Sequence, residues 1–191
     1  MHPDAIQRRR ISATTARSGR YDAGVSLRFA DQPLIFLDVD GPLIPLKARP
    51  LAQEHRSRTP IGSTGNPLLD RLAPQDGHRL LALGCPLAWA TTWGTDANEI
   101  ISPRLALPEL PVVDWPDDDE EPQHGLHWKT MYLIHWAAGH PFVWLDDEIT
   151  DTDRRWTAAH HPERALLRRV DPYLGLTPAD FAVIHDWLRQ G

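Results

Sequence analysis

Four short stretches of this 191-residue chain hold side chains of the kinds that do chemistry. Asp38 and Asp40 flank Val39 just ahead of Gly41. Thr91 and Thr92 stand together. Lys129 follows His127 and Trp128. Asp146 and Asp147 form an adjacent pair. Each acid-bearing or hydroxyl-bearing stretch sits at the end of an apolar run. Carboxylates brought together from distant parts of a chain repel one another unless a cation binds among them. A donor set made only of oxygens suits Mg²⁺ rather than zinc or copper. Mg²⁺ beside an ammonium and a hydroxyl is an arrangement fitted to a phosphoryl group.

The elements that must position these groups can be read from periodicity. Residues 33–39 (PLIFLDV) are a continuous apolar run ending in acids, the pattern of a strand buried on both faces. Further strands are expected at 86–91, 111–113, 142–145 and 165–170, about five in all. Helices are expected at 66–72, with Asn66 as N-cap and Pro67 at the first helical position, and at 76–83. Others are expected at 95–101, 126–138, 152–160 and 178–189, the last capped by Thr177. The 126–138 helix is apolar nearly all round, which predicts deep burial; Gly139 stops it. Strands alternating with helices imply a parallel sheet covered on both faces. Ligands of such a sheet bind beyond the carboxyl ends of its strands, where the acids, threonines and lysine fall.

Composition narrows the alternatives. Hydrophobic residues are 41% and charged residues 24%, ordinary for a globular domain. The single cysteine, Cys85, excludes an internal disulfide and a cysteine-based zinc site. No stretch reaches the roughly 20 apolar residues of a membrane span. Net charge is −6, which disfavours a protein that coats nucleic acid through a basic surface. The charge is uneven: residues 1–30 hold six arginines against two aspartates, a net of +4, so the remainder carries −10. Residues 1–31 read as a flexible basic tail and 32–191 as the folded domain. No apolar segment of a secretory signal follows those arginines, and a cytoplasmic protein is expected. Eighteen of the 20 basic residues are arginine; the lysines are Lys47 and Lys129.

The ordered motifs resemble those of the haloacid dehalogenase-like (HAD) superfamily of phosphohydrolases. LIFLDVDG (34–41) is similar to its first motif, LAWAT (87–91) to its second, HWKT (127–130) to its third and FVWLDDE (142–148) to its fourth. More narrowly, WATTWGTDAN, WLDDE and GLT (175–177) resemble the HAD domain of bacterial Swiss Army Knife RNA-repair proteins. The resemblance implies a three-layer, Rossmann-like α/β fold. This chain departs from the family in one respect: the roughly 49 residues between Gly41 and Thr91 and the interval from Thr92 to His127 leave little or no room for a cap, and hence imply an open site. The resemblance implies that Asp38 attacks phosphorus, forming an aspartyl-phosphate. It implies that Asp40 protonates the leaving oxygen and then activates water. Thr91, or Thr92 in the alternative register, would bind a phosphoryl oxygen, and Lys129 would offset negative charge. Mg²⁺ would be held by Asp38, the Asp40 carbonyl and the acidic pair, with Asp147 the direct ligand and Asp146 in support. Gly41 would permit the turn that brings both acids inward. The family commonly has Thr where this chain has Pro42.

Plainer readings stand beside these. A lone DxD pair is often a turn feature. Lys129 at a helix start opposes the helix dipole, which argues for a local role. The loop 47–58, with Arg56 and Arg58, either steers a polyanion toward the site or is simply solvated. The acidic run 117–121 reads as solvated surface. His124 with His127 and His160 with His161 read as surface or packing residues rather than zinc ligands. A response-regulator receiver places its acids and lysine in a different order. A DxD glycosyltransferase leaves the Thr, Lys and Asp-Asp set unexplained. A phosphatase acting on nucleic-acid ends or another large substrate is thus expected. The rivals are a phosphatase of small metabolites and a catalytically inactive HAD-fold binding module. Oligomeric state is left open.

Overall fold

The computed structural model describes residues 32–47, 66–115 and 125–191. The basic tail, Arg56, Arg58, His124 and the acidic run 117–121 therefore lie outside the described residues. Four parallel strands form one sheet in the order β2-β1-β3-β4. They are β1 Leu34–Leu37, β2 Leu87–Trp89, β3 Phe142–Asp146 and β4 Ala165–Arg169. The expected strand at 111–113 is reduced to one bridge, Val112 against Trp89. That bridge lies on the outer side of β2, so the five positions follow the order of a doubly wound fold. The segment is too short to lay a ladder: Pro111 has no N–H to give.

Side-chain alternation along the strands sets the layers. In β1, Ile35 and Leu37, and then Val39, enter one apolar cluster; Leu34 and Phe36 enter another. In β3, Val143 and Leu145 join the first, and Phe142 and Trp144 the second. The first cluster is closed by α1 (Pro74–Ala82), by a π-helical turn Ala97–Ile101 running into α2 (Ser102–Leu105), and by α5 (Pro178–Arg189). The second is closed by α3 (Thr130–Ala137), beside which α4 (Asp151–His160) packs. Each sheet face is covered, as near-continuous apolar strands demand.

Local chemistry accounts for the helix ends. Thr177 accepts from the Asp180 N–H while Asp180 accepts from the Thr177 N–H (2.8 Å), a capping box with Pro178 at the first helical position. Thr150 and Asp153 make the same box at α4. Three expectations are corrected. The helix at 66–72 is one 3₁₀ turn, Leu69–Arg71; the Asn66 carboxamide instead accepts from the Leu68 N–H (3.0 Å) in a side-chain-closed turn. The helix at 126–138 begins only at Thr130. That helix is also not buried all round, since Met131 is 44% exposed and His135 also faces solvent.

Asn98 ties the π-helical turn to the sheet. Its Oδ1 accepts from the Trp89 indole and the Leu110 N–H, both at 2.9 Å, and its Nδ2 donates to the Leu110 carbonyl at 2.8 Å. The Trp89 side chain is fully buried, so loss of this partner strands a polar group in the core. Asn98→Ala is expected to lower unfolding free energy by about 2 kcal/mol. The shift of the urea midpoint at constant slope measures it.

Candidate active site

Because the four strands are parallel, their carboxyl ends share one edge. β1 lies between β2 and β3, so chain connections leave it in opposite directions and open a crevice at its end. Leu37 is in register with Leu145, which puts Asp38 beside Asp146 one step further on. Asp38 continues the alternation of Leu34 and Phe36, and Asp146 that of Phe142 and Trp144. Both carboxylates therefore turn toward the α3 face of the sheet.

Lys129, the residue before α3, meets them there. Its Nζ lies 3.0 Å from Asp38 Oδ2 and 2.9 Å from Asp146 Oδ2. All three side chains are buried. The remaining oxygens are held by backbone donors: Asp38 Oδ1 accepts from the Val39 N–H (2.8 Å) and Asp146 Oδ1 from the Glu148 N–H (2.9 Å). Burial drives the Asp38 carboxyl pKa up to about 7; Lys129 pulls it down and Asp146 adds to the rise. Burial works against the Lys129 ammonium, yet Asp38 and Asp146 outweigh it and hold its pKa above the ordinary value.

Asp147 completes the acidic group. Asp38, Asp146 and Asp147 each present an oxygen, all within 4.8 Å of one another. Asp147 is only half-buried, and burial, followed by the charge of Asp146, raises its pKa. Three carboxylates facing one ammonium leave negative charge uncompensated. Their oxygen-only donor set fits a hard divalent cation such as Mg²⁺. Gly41 makes the approach possible: its φ is +83°, and a Cβ there would lie 2.5 Å from Asp147 Cγ.

The other sequence candidates separate by exposure. Asp40 is exposed, and its Oδ2 accepts from the Trp93 indole at 2.9 Å. Thr91 is fully buried at the end of β2, while Thr92 faces solvent. Among the paired histidines, His160 stacks on Trp156 (ring centroids 4.0 Å apart) and His161 bonds the His140 carbonyl (3.0 Å). Both are packing residues.

His127, read from the sequence as a surface or packing residue, and Asp153, which was not singled out, hold the lysine in place. His127 Nδ1 accepts from the Lys129 N–H (3.1 Å), so the ring proton sits on Nε2, facing Glu148 (3.1 Å). Asp153 accepts from the His127 N–H and the Thr130 hydroxyl, both at 2.7 Å. Its second oxygen accepts from the Thr150 N–H (2.8 Å) and hydroxyl (2.6 Å). One carboxylate thus joins the turn carrying Lys129 to the loop after β3, which carries Asp147 next to the strand-end Asp146. The signal available in sequence was the capping-box spacing from Thr150, which does not reveal the partners across the fold.

The comparisons with known proteins agree with this geometry. Residues 34–181 match the family model described as the HAD domain in Swiss Army Knife RNA repair proteins. The match covers most of the chain, and the protein belongs to that family of HAD-type hydrolase domains. No match was found among curated proteins or solved structures. No helix among the described residues is long and apolar enough to cross a membrane.

Burial raises the Asp153 pKa, but the bonds from Thr150, Thr130 and His127 prevail and hold it below the usual carboxylate range. The ionised form therefore stabilises the fold above the unfolded pKa of about 3.9, and the gain is lost as pH falls through the lower folded value. Asp153→Ala is expected to cost about 3 kcal/mol at pH 7, with the gap to the parent narrowing below about pH 4. Denaturant titrations across pH 3–7 test this.

Proposed function

We propose that the protein is a Mg²⁺-dependent phosphomonoesterase acting through an aspartyl-phosphate on Asp38. The observation that carries the reading is the set formed by Asp38, Lys129, Asp146 and Asp147 at one strand-end crevice. Asp38 attacks phosphorus as the carboxylate. The bond from phosphorus to the ester oxygen breaks, and Asp40 gives that oxygen a proton. In the second half, Asp40 takes a proton from water, whose oxygen attacks phosphorus. The bond to Asp38 breaks, phosphate leaves, and both acids return to their starting forms.

Lys129 offsets the charge of the phosphoryl oxygens, and the Thr91 hydroxyl bonds one of them. Thr92 and Gly41 border the substrate, and Arg56 and Arg58 attract its negative charge. Asp38, the Asp40 carbonyl and Asp147 hold the cation, with Asp146 in support. That division is supported by Asp146 already being engaged with Lys129 and a backbone N–H. When bound, the cation neutralises phosphoryl charge and favours the ionised carboxylates. The substrate is a phosphorylated nucleic-acid end, a reading supported by the RNA-repair setting of the family. The site of action is the cytoplasm.

Hydrolysis of p-nitrophenyl phosphate by the full chain is expected to stop with EDTA and return with Mg²⁺. Asp38→Asn is expected to lower kcat at least about 10³-fold. Turnover indifferent to EDTA, or full activity in the variant, overturns the reading. For substrate class, kcat/KM is expected to be higher for 5′- or 3′-phosphorylated oligonucleotides than for a panel of small phosphate esters. The reverse ranking assigns the protein to small-metabolite phosphatases.

A further inference from the structure

Asp40 is held differently from the other acids of the site. Asp38 and Asp146 are buried and each bonds both an ammonium and a backbone N–H. Asp40 is exposed, directly before Gly41, and in the proposed reaction its partners are groups that come and go. A carboxylate that must meet a leaving oxygen and then a water needs a fixed direction, because small errors in placement cost large factors in rate.

The Trp93 indole supplies a fixed point. Its Nε1 donates to Asp40 Oδ2 at 2.9 Å. Trp93 lies in the turn just beyond β2, where its N–H is 3.4 Å from the Thr91 hydroxyl and its carbonyl accepts from the Asp96 N–H (3.1 Å). Its ring is half-buried against the larger apolar cluster. The indole nitrogen is a donor only and neither takes nor gives up a proton in catalysis. With Oδ2 engaged as acceptor, the catalytic proton is carried on Oδ1. We propose that Trp93 is a positioning residue that fixes the Asp40 carboxyl with Oδ1 toward the leaving oxygen. This inference rests on the phosphatase reading above.

The test uses the full-length protein with Mg²⁺ and two esters: p-nitrophenyl phosphate, whose leaving oxygen departs readily without a proton, and an alkyl phosphate, whose leaving oxygen needs one. The quantity read is kcat/KM, which reports the step in which the leaving group departs. Trp93→Phe keeps an aromatic ring and removes the donor. It is expected to lower kcat/KM about tenfold or more for the alkyl ester and no more than about twofold for the aryl ester, with an unchanged melting temperature. Asp40→Asn, run in parallel, should show the same contrast more strongly. If Asp40→Asn shows the contrast and Trp93→Phe does not, or loses both esters equally, the Trp93 assignment is overturned and the phosphatase reading stands. If wild type hydrolyses neither ester, the phosphatase reading fails first. A second measurement needs neither turnover nor the Trp93 variant to fold. In ¹⁵N-tryptophan-labelled protein, Asp40→Ala should move one of the eight indole N–H resonances upfield and speed its solvent exchange. Eight unmoved resonances overturn the assignment.

Discussion

A buried ammonium between two carboxylates of neighbouring strands is the constraint around which this molecule is arranged. Asp38 and Asp146 end adjacent parallel strands on the same face, so the sheet itself forces two negative charges together. Left alone, such a pair would push apart the strands that carry it. Lys129 bonds both. Ion pairs in the interior are weak sources of stability, since desolvation offsets attraction, but removal of one member leaves an uncompensated charge. The arrangement is better understood as fixing geometry than as strengthening the fold.

That geometry is maintained at one remove. The ammonium can sit between the acids only if the chain ahead of α3 presents it there. His127 caps the Lys129 N–H, and Asp153 fastens the His127 and Thr130 positions to the loop after β3. Trp128 contributes its ring, 5.5 Å from the ammonium, to a site wall continued by Trp115, whose indole bonds the Thr91 carbonyl (3.0 Å). The groups with chemical roles are few, and most polar side chains nearby serve to hold backbone turns still.

Much of this was legible in the chain itself. Apolar runs ending in acids located β1 and β3, and parallel order followed from the alternation of strands and helices. That was enough to gather Asp38, Lys129, Asp146 and Asp147 at one edge. What was not legible had a common cause. Asn98 reaches Trp89 and Leu110, 9 and 12 residues away, and Asp153 reaches His127 and Thr130, 26 and 23 residues away; nothing in local composition names such partners. The Asn66 turn and the single bridge at Val112 misled for another reason: short elements are decided by one or two hydrogen bonds, which periodicity does not sense. The α3 helix looked apolar on every side, yet only Thr130, Leu133 and Ala137 are buried.

Gly41 links two loops that are 106 residues apart in sequence, as the near-contact of its missing Cβ with Asp147 Cγ makes plain. The turn bearing Asp40 and the loop bearing the half-buried Asp147 carboxylate are nested like two gear teeth. Neither can shift toward the other without collision, and neither can gain bulk at the point of mesh. The spacing between Asp40 and Asp147 is thereby set by backbone against side chain, not by either loop's own stiffness. Such interlocking would let the exposed Asp40 and the half-buried Asp147 hold their separation although both face solvent.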